Sequence, residues 1–136
     1  MQGTVLLVAR KRGKWYNLPM NEEIFLIEQP IPLAELREIA AKRFGDMVKG
    51  VVDLEKGIMA LGGDLHADEE AFLLQHGSVQ ENLWGINLYA DLPMPEMVEF
   101  DSMINIRPRQ NNRSRGVEDM SVRDKIIALI NNLVKF

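Results

Sequence analysis

The sequence contains no cysteine and only two histidines. Without cysteine the chain cannot form disulfides, thiolate zinc sites or iron–sulfur clusters, and a cysteine nucleophile is excluded. A membrane-spanning helix needs roughly 20 consecutive apolar residues, and no run of that length occurs. The composition fits a reducing compartment, so we expect a cytoplasmic protein with no membrane partner.

Positive charge is missing from a long central stretch. No Lys or Arg lies between Lys56 and Arg107, whereas nine acidic residues fall in this interval. The net charge is −4, yet residues 1–20 carry four basic residues and no acid. Because acidic surfaces repel the phosphate backbone, we do not expect duplex nucleic acid as a partner.

The length of 136 residues, with 46% apolar and 26% charged residues, is typical of one globular domain. Residues 1–20 differ from the remainder in charge and are interpreted as a basic N-terminal extension that can lie outside the domain. Residues 21–136 are predicted to form a single α+β domain. Walker A, GxGxxG and GxSxG motifs are absent, so no cofactor is predicted.

Apolar patterns predict strands and two helices. The run IFLIE (24–28) suits a buried strand, and residues 32–44 follow with helical periodicity. Residues 47–63 indicate a hairpin around LEKG. Residues 62–70 are interpreted as a loop. For residues 71–74 a strand and a helical turn both remain open, with a strand favoured.

Further strands are predicted at 81–89 and 96–106, where apolar and polar residues alternate. A C-terminal helix is predicted at about 120–135, with Ser121 and Asp124 as a capping box. The predicted fold is an α+β two-layer domain. It has a mainly antiparallel sheet of about five or six strands, with the helices at about 32–44 and 120–135 on one face.

Four arginines fall within the nine positions 107–115. The candidate ligand-binding residues are Arg107, Arg109, Asn111, Asn112, Arg113, Ser114 and Arg115. The favoured hypothesis is an interaction protein, a homodimer, in which this loop makes salt bridges within or between subunits. The alternative is an enzyme or binding domain that holds a phosphorylated or carboxylated ligand before the last helix. Glu118 and Asp119, however, stand where such an anion would bind.

Two weaker patterns concern metal binding and catalysis. Asp64, His66 and Asp68 alternate and would share one side of an extended loop, but D-x-H-x-D is a weak pattern and no metal is predicted. Asp101, His66 and Glu81 are the candidate acid–base groups, although no recognisable catalytic set is present.

Two asparagines lie within apolar strands, Asn87 and Asn105. Buried amides need hydrogen-bond partners, so they either fix strand ends or point into a site with Asp101 and Arg107. Trp84 is interpreted mainly as a core residue, with a small-molecule groove beside it as the alternative.

Two long motifs carry a resemblance to a known family. They are LGGDLHADEEAFLLQHGSVQENLWGINLY (61–89) and INIRPRQNNRS (104–114), followed by a short acidic segment and a terminal helix. Over about residues 23–136 the chain resembles a family of small prokaryotic proteins of unknown function. The resemblance implies a single domain and carries no activity, cofactor or partner.

Overall fold

A five-stranded antiparallel sheet forms the centre of the molecule. The computed structural model describes the backbone of residues 7–11 and 14–18 and all atoms of residues 23–136. The central strands are β3 (Phe25–Ile27), β5 (Met47–Asp53), β6 (Ile58–Leu61), β7 (Leu83–Tyr89) and β8 (Val98–Glu99). Across the sheet they lie in the order β3-β6-β5-β7-β8. The predicted strands at 24–28, 47–63 and 81–89 are therefore confirmed.

The β5–β6 hairpin turns at LEKG, as predicted, and a buried carboxylate holds the turn. Asp53 Oδ1 accepts hydrogen bonds from the backbone N–H groups of Glu55 and Lys56, both at 2.9 Å. Its Oδ2 accepts the hydroxyl hydrogen of Ser78 at 2.6 Å. Gly57 has a φ of +68°, a conformation that glycine adopts without a steric penalty.

Three helices cover the sheet: α1 (Leu33–Ala41), α2 (His66–Gln75) and α3 (Met120–Leu133). One face of the sheet, the α1–α3 face, buries Phe25, Ile27, Val48, Val52, Met59, Leu61, Trp84, Ile86 and Leu88 with α1 and α3. The other, the α2 face, buries Ile24, Leu26, Val51, Ile58, Ala60 and Leu83 with α2. Neighbouring residues of a strand alternate between the faces, as expected for strands buried on both sides.

The α+β class, the antiparallel sheet and the C-terminal helix are confirmed. The predicted two-layer arrangement lacked α2, which adds a third layer on the face opposite α1 and α3. The prediction of a loop at 66–70 was wrong, and of the two alternatives left open for 71–74 the favoured strand was wrong and the helix is right, because all of these residues belong to α2. Phe72 and Leu73 are buried under the sheet, and four apolar letters do not distinguish a strand from a helical turn.

The cap of α3 differs from the predicted one. Asp119, two residues before Ser121, is the N-cap, and its Oδ1 accepts the backbone N–H of Ser121 at 2.8 Å. At its C-terminal end α3 continues into β9 (Val134–Lys135), which pairs in parallel with β4 (Ile31–Pro32) just before α1. This pairing joins the two helices of the α1–α3 face.

The predicted strand at 96–106 was mostly wrong. Within this stretch only Val98–Glu99, which is β8, pairs with β7. The chain then forms a 3-10 turn at Met103–Asn105. Gly85 of β7 permits this close approach, because a Cβ there would lie 2.5 Å from the Ser102 Cβ.

Within the predicted extension, the strands β1 (Leu7–Lys11) and β2 (Lys14–Leu18) pair antiparallel. The other residues of positions 1–20 lie outside the described residues. None of the helices described in this structure is long and apolar enough to cross a membrane.

Candidate functional site

The arginine-containing loop, residues 105–119, is fastened to β7 by one buried amide. Asn105 Oδ1 accepts the backbone N–H of Gly85 at 2.8 Å, and Asn105 Nδ2 donates to the Gly85 carbonyl at 2.9 Å. The same Nδ2 donates to the Arg115 carbonyl at 3.0 Å. Asn105 is completely buried, so it fixes the position of the loop on the sheet rather than contacting a ligand.

A second buried amide organises the loop internally. Asn112 Nδ2 donates to the carbonyls of Asn105 at 2.7 Å and Gly116 at 2.8 Å, and Asn112 Oδ1 accepts the Glu118 N–H at 2.8 Å. The preceding Asn111 has a φ of +58°, which asparagine tolerates better than most residues. Asn111 and Asn112 were both predicted as ligand-binding residues. The structure places the Asn112 amide inside the loop, where it bonds to loop carbonyls.

The position before α3 already contains an anion, which is the Glu118 carboxylate. Its Oε2 accepts the backbone N–H groups of Arg113 at 2.8 Å and Ser114 at 2.9 Å. The hydrogen bond from Arg113 lowers the pKa of Glu118 below its ordinary value. Glu118 thus takes the hydrogen bonds that a phosphate before α3 would have used, while Asp119 caps the helix.

The four arginines of the loop have different environments. Arg115 Nε donates to Asp101 Oδ1 at 2.6 Å, with side chains 55% and 43% exposed, so this arginine forms a salt bridge with another part of the same chain. Arg109 and Arg113 are exposed, and neither forms an ion pair with a residue between 23 and 136. Pro108–Gln110 is a 3-10 turn, so Arg107 and Arg109 do not share one face of an extended chain.

Arg107 is half-buried and is held by neutral groups. Its Nη1 donates to the Gln80 carbonyl, its Nη2 donates to the Leu83 carbonyl at 2.7 Å, and the guanidinium lies 4.3 Å from the centre of the Trp84 ring. Its Nε is buried without a hydrogen-bond partner. Burial lowers the pKa of Arg107, against the smaller and opposite effect of the Glu70 and Glu81 charges, and the guanidinium forms no ion pair within residues 23–136. Its charge is therefore not neutralised by a direct contact.

A groove of about 590 Å³ runs beside Arg107. Two segments line it, Val79, Gln80 and Glu81 on one side and Ile106, Arg107, Pro108, Arg109 and Gln110 on the other. Val79 is 50% exposed and Ile106 is 39% exposed, so the groove presents apolar surface next to two guanidiniums. This volume lies in the range of about 300–1,000 Å³ that is usual for small-molecule sites.

A separate row of polar side chains crosses the α2 face. Lys49, Asn87 and Glu99 stand opposite one another on β5, β7 and β8. Asn87 Nδ2 donates to Glu99 Oε1 at 2.8 Å, and Asn87 Oδ1 is buried without a hydrogen-bond partner. At the start of α2, His66 Nε2 donates to the Ile86 carbonyl at 2.8 Å. Burial lowers the pKa of His66 from its ordinary 6.5, which favours the neutral ring.

The three candidate acid–base groups do not form one site. The Asp101 charge slightly raises the pKa of His66 against the larger effect of burial. Asp101, however, is bonded to Arg115, and the buried imidazole is bonded to a backbone carbonyl. Glu81 lies instead in the groove beside Arg107.

Asp64, His66 and Asp68 do not share one side of an extended loop, as the D-x-H-x-D pattern had assumed. His66 and Asp68 lie on α2, where residues two apart point to opposite sides of the helix, and Asp64 pairs with Arg43 at 3.1 Å. No group of three or more histidine or acidic side chains in the part of the chain that the structure describes is arranged to hold a metal ion.

Several residues of these sites were not identified from the sequence. Lys49 and Glu99 meet Asn87 only through strand pairing, which periodicity does not reveal. Gln110 and Val79 flank the groove, and Gln110 stood inside the recognised motif at 104–114. In the sequence, the only sign of this groove was the apolar Ile106 directly before Arg107.

Comparisons with known proteins place the chain in a family without assigning a role. No curated protein and no solved structure matches the chain. A family model described as "Protein of unknown function (DUF5674)" matches residues 25–133, which is most of the chain and includes both long motifs and the loop 105–119. The chain belongs to this family of proteins of unknown function.

Proposed function

We propose that the chain is a small binding protein whose groove at residues 79–81 and 106–110 takes an anionic group, a carboxylate or a phosphate. The observation that carries this proposal is the half-buried guanidinium of Arg107, which is bonded to two carbonyls and to no carboxylate within residues 23–136. Charged groups removed from water are usually paired, so a bound anion supplies the missing charge.

The surroundings of Arg107 support a ligand that has an apolar part. Two of its five N–H groups are used by the Gln80 and Leu83 carbonyls, and the guanidinium lies over the Trp84 ring. Arg109 adds a second charge at the same groove, and Val79 and Ile106 supply apolar contact. A carboxylate or phosphate carried on an apolar group fits this combination.

Thermal denaturation in the presence of small anions tests the proposal. The probes are aliphatic and aromatic monocarboxylates, phenyl phosphate and inorganic phosphate. A ligand at 100 times its Kd should add about 2.7 kcal/mol to the free energy of unfolding. We expect Arg109→Ala to reduce this stabilisation. Arg37→Ala is the matched control, because Arg37 is an exposed arginine that does not line the groove.

The two variants also define failure. If no probe stabilises the wild-type protein, or if Arg109→Ala and Arg37→Ala reduce the stabilisation equally, the groove does not bind anions and the proposal is wrong. Arg107 is left unchanged in this test because it also supports the fold through its contacts with Gln80, Leu83 and Trp84.

We also propose a cytoplasmic homodimer, in which Arg113 meets an acidic group of a second subunit. The exposure of Arg113, its lack of an ion pair within residues 23–136 and the acidic stretch between residues 56 and 107 support this proposal. Sedimentation at low and high salt tests it: a dimer should weaken as salt screens the contact. A monomer at every concentration and salt level would contradict it.

A further inference from the structure

A second cavity adjoins the groove beside Arg107. It has a volume of about 340 Å³ and is lined by Leu54, Glu55, Glu81, Asn82, Trp84, Gln110, Val122 and Lys125. Glu81 and Gln110 belong to the walls of both cavities. The second cavity therefore continues the first one around the start of β7 as far as α3.

One side-chain contact crosses the boundary between the two cavities. Gln110 Nε2 donates to the Glu81 carbonyl at 3.0 Å, and both residues are exposed. Water competes directly for such a hydrogen bond, so the amide can exchange this partner for another carbonyl.

The charge reverses between the two cavities. The first cavity has two basic residues, Arg107 and Arg109, against Glu81. The second has two acidic residues, Glu55 and Glu81, against Lys125. Each cavity also presents apolar side chains, Val79 and Ile106 in the first and Leu54 and Val122 in the second. A complementary occupant is long, partly apolar, acidic at one end and basic at the other.

We propose that the two cavities together bind an extended peptide segment of a partner protein, with an acidic side chain beside Arg107 and Arg109 and a basic side chain beside Glu55 and Glu81. In this arrangement the Gln110 amide donates to a peptide carbonyl instead of to Glu81. The proposal rests on the proposed function, because the first cavity must accept an anionic group. A continuous polyanion such as single-stranded RNA fits less well, since Glu55 and Glu81 repel it.

Peptides of two lengths separate the proposal from the simpler anion site. The long probes are capped octapeptides with one aspartate and one lysine three to five residues apart, in both chain directions, with leucine between them. The short probes are capped tripeptides with a central aspartate. Dissociation constants are measured by isothermal titration or by anisotropy of a labelled peptide. We expect some octapeptides to bind at least tenfold more tightly than the tripeptides.

Variants of exposed glutamates then test the second cavity. Glu55→Gln should weaken the octapeptides about two- to fivefold, the range expected for one exposed ion pair, and leave tripeptide binding unchanged. Glu96→Gln is the matched control, because Glu96 is an exposed glutamate that lines neither cavity. It should change neither affinity. Arg109→Ala should weaken both kinds of peptide.

The outcomes distinguish the two proposals. If tripeptides bind in an Arg109-dependent way but octapeptides gain nothing, or gain equally in Glu55→Gln, the peptide groove is wrong and the anion site stands. If a single-stranded RNA oligonucleotide binds through Arg109 and the octapeptides do not, the peptide proposal is likewise overturned. If no probe binds, both proposals fail.

Discussion

The two faces of the central sheet are covered in different ways. The α1–α3 face is lined by apolar side chains, and Val48, Ile86 and Leu88 are completely buried there. The α2 face is apolar under Phe72 and Leu73 but polar towards β8, where Asn87 and His66 are buried. Apolar packing is non-directional, whereas each buried polar group needs a partner at a defined position. We therefore expect the first face to provide stability and the polar end of the second to fix the position of the loop 105–119.

The largest expected effect comes from the apolar face. Leu88→Ala should lower the free energy of unfolding by about 2–5 kcal/mol, because it removes apolar contacts and leaves a cavity. Urea denaturation with a fitted m value measures the loss. Leu92→Ala is the matched control, since Leu92 is 45% exposed, and it should cost less than about 0.5 kcal/mol. Equal losses in the two variants would contradict the apolar role of this face.

A smaller effect is expected where the loop joins the sheet. Asn105→Ala leaves the backbone N–H and carbonyl of Gly85 without the amide partner and should cost about 1–3 kcal/mol. Hydrogen exchange should also show faster exchange at the Gly85 amide and across the loop 105–119. A loss of stability with unchanged exchange in the loop would mean that Asn105 does not position it.

The smallest effect is a dependence of stability on pH at the polar end of the α2 face. Burial lowers the pKa of His66, so below its ordinary value of 6.5 the unfolded chain binds a proton more readily than the folded one. The contribution of neutral His66 to stability is therefore complete above that value and decreases as the pH falls below it. His66→Gln should flatten this decrease in urea denaturation between about pH 8 and pH 5. An identical decrease in variant and wild type would assign it to other groups.

The sequence revealed the sheet better than it revealed the helices and the site. Periodicity identified the strands at 24–28 and 81–89, since their side chains had to be buried. It did not identify α2, because the apolar residues 71–74 fit a strand and a helical turn equally well. The hydrogen bonds of Asn105 and Asn112 were not predictable either, since a buried amide shows its partners only after distant segments meet.

The charges of the loop were recognised, whereas their partners were not. Glu118 was correctly identified as an occupant of the position before α3, because it lies a few residues away in the chain. The Trp84 ring under Arg107 and the two flanking carbonyls come from a segment about 25 residues earlier, which no local pattern connects to Arg107. In this chain, the contact of a carboxylate with backbone N–H groups a few residues away could be predicted from the sequence. The surroundings of a cation that come from a distant segment could not.

Asn105 has one more consequence, which concerns association between copies of the chain. Strand β8 pairs with only two residues of β7. Without another partner, the N–H and carbonyl of Gly85, further along β7, would be free to pair with any extended chain. The Asn105 amide occupies both groups at Gly85 and acts as a one-residue substitute for a neighbouring strand. Together with the Arg107 guanidinium, which occupies the Leu83 carbonyl, this amide covers the exposed border of β7 against pairing with another chain.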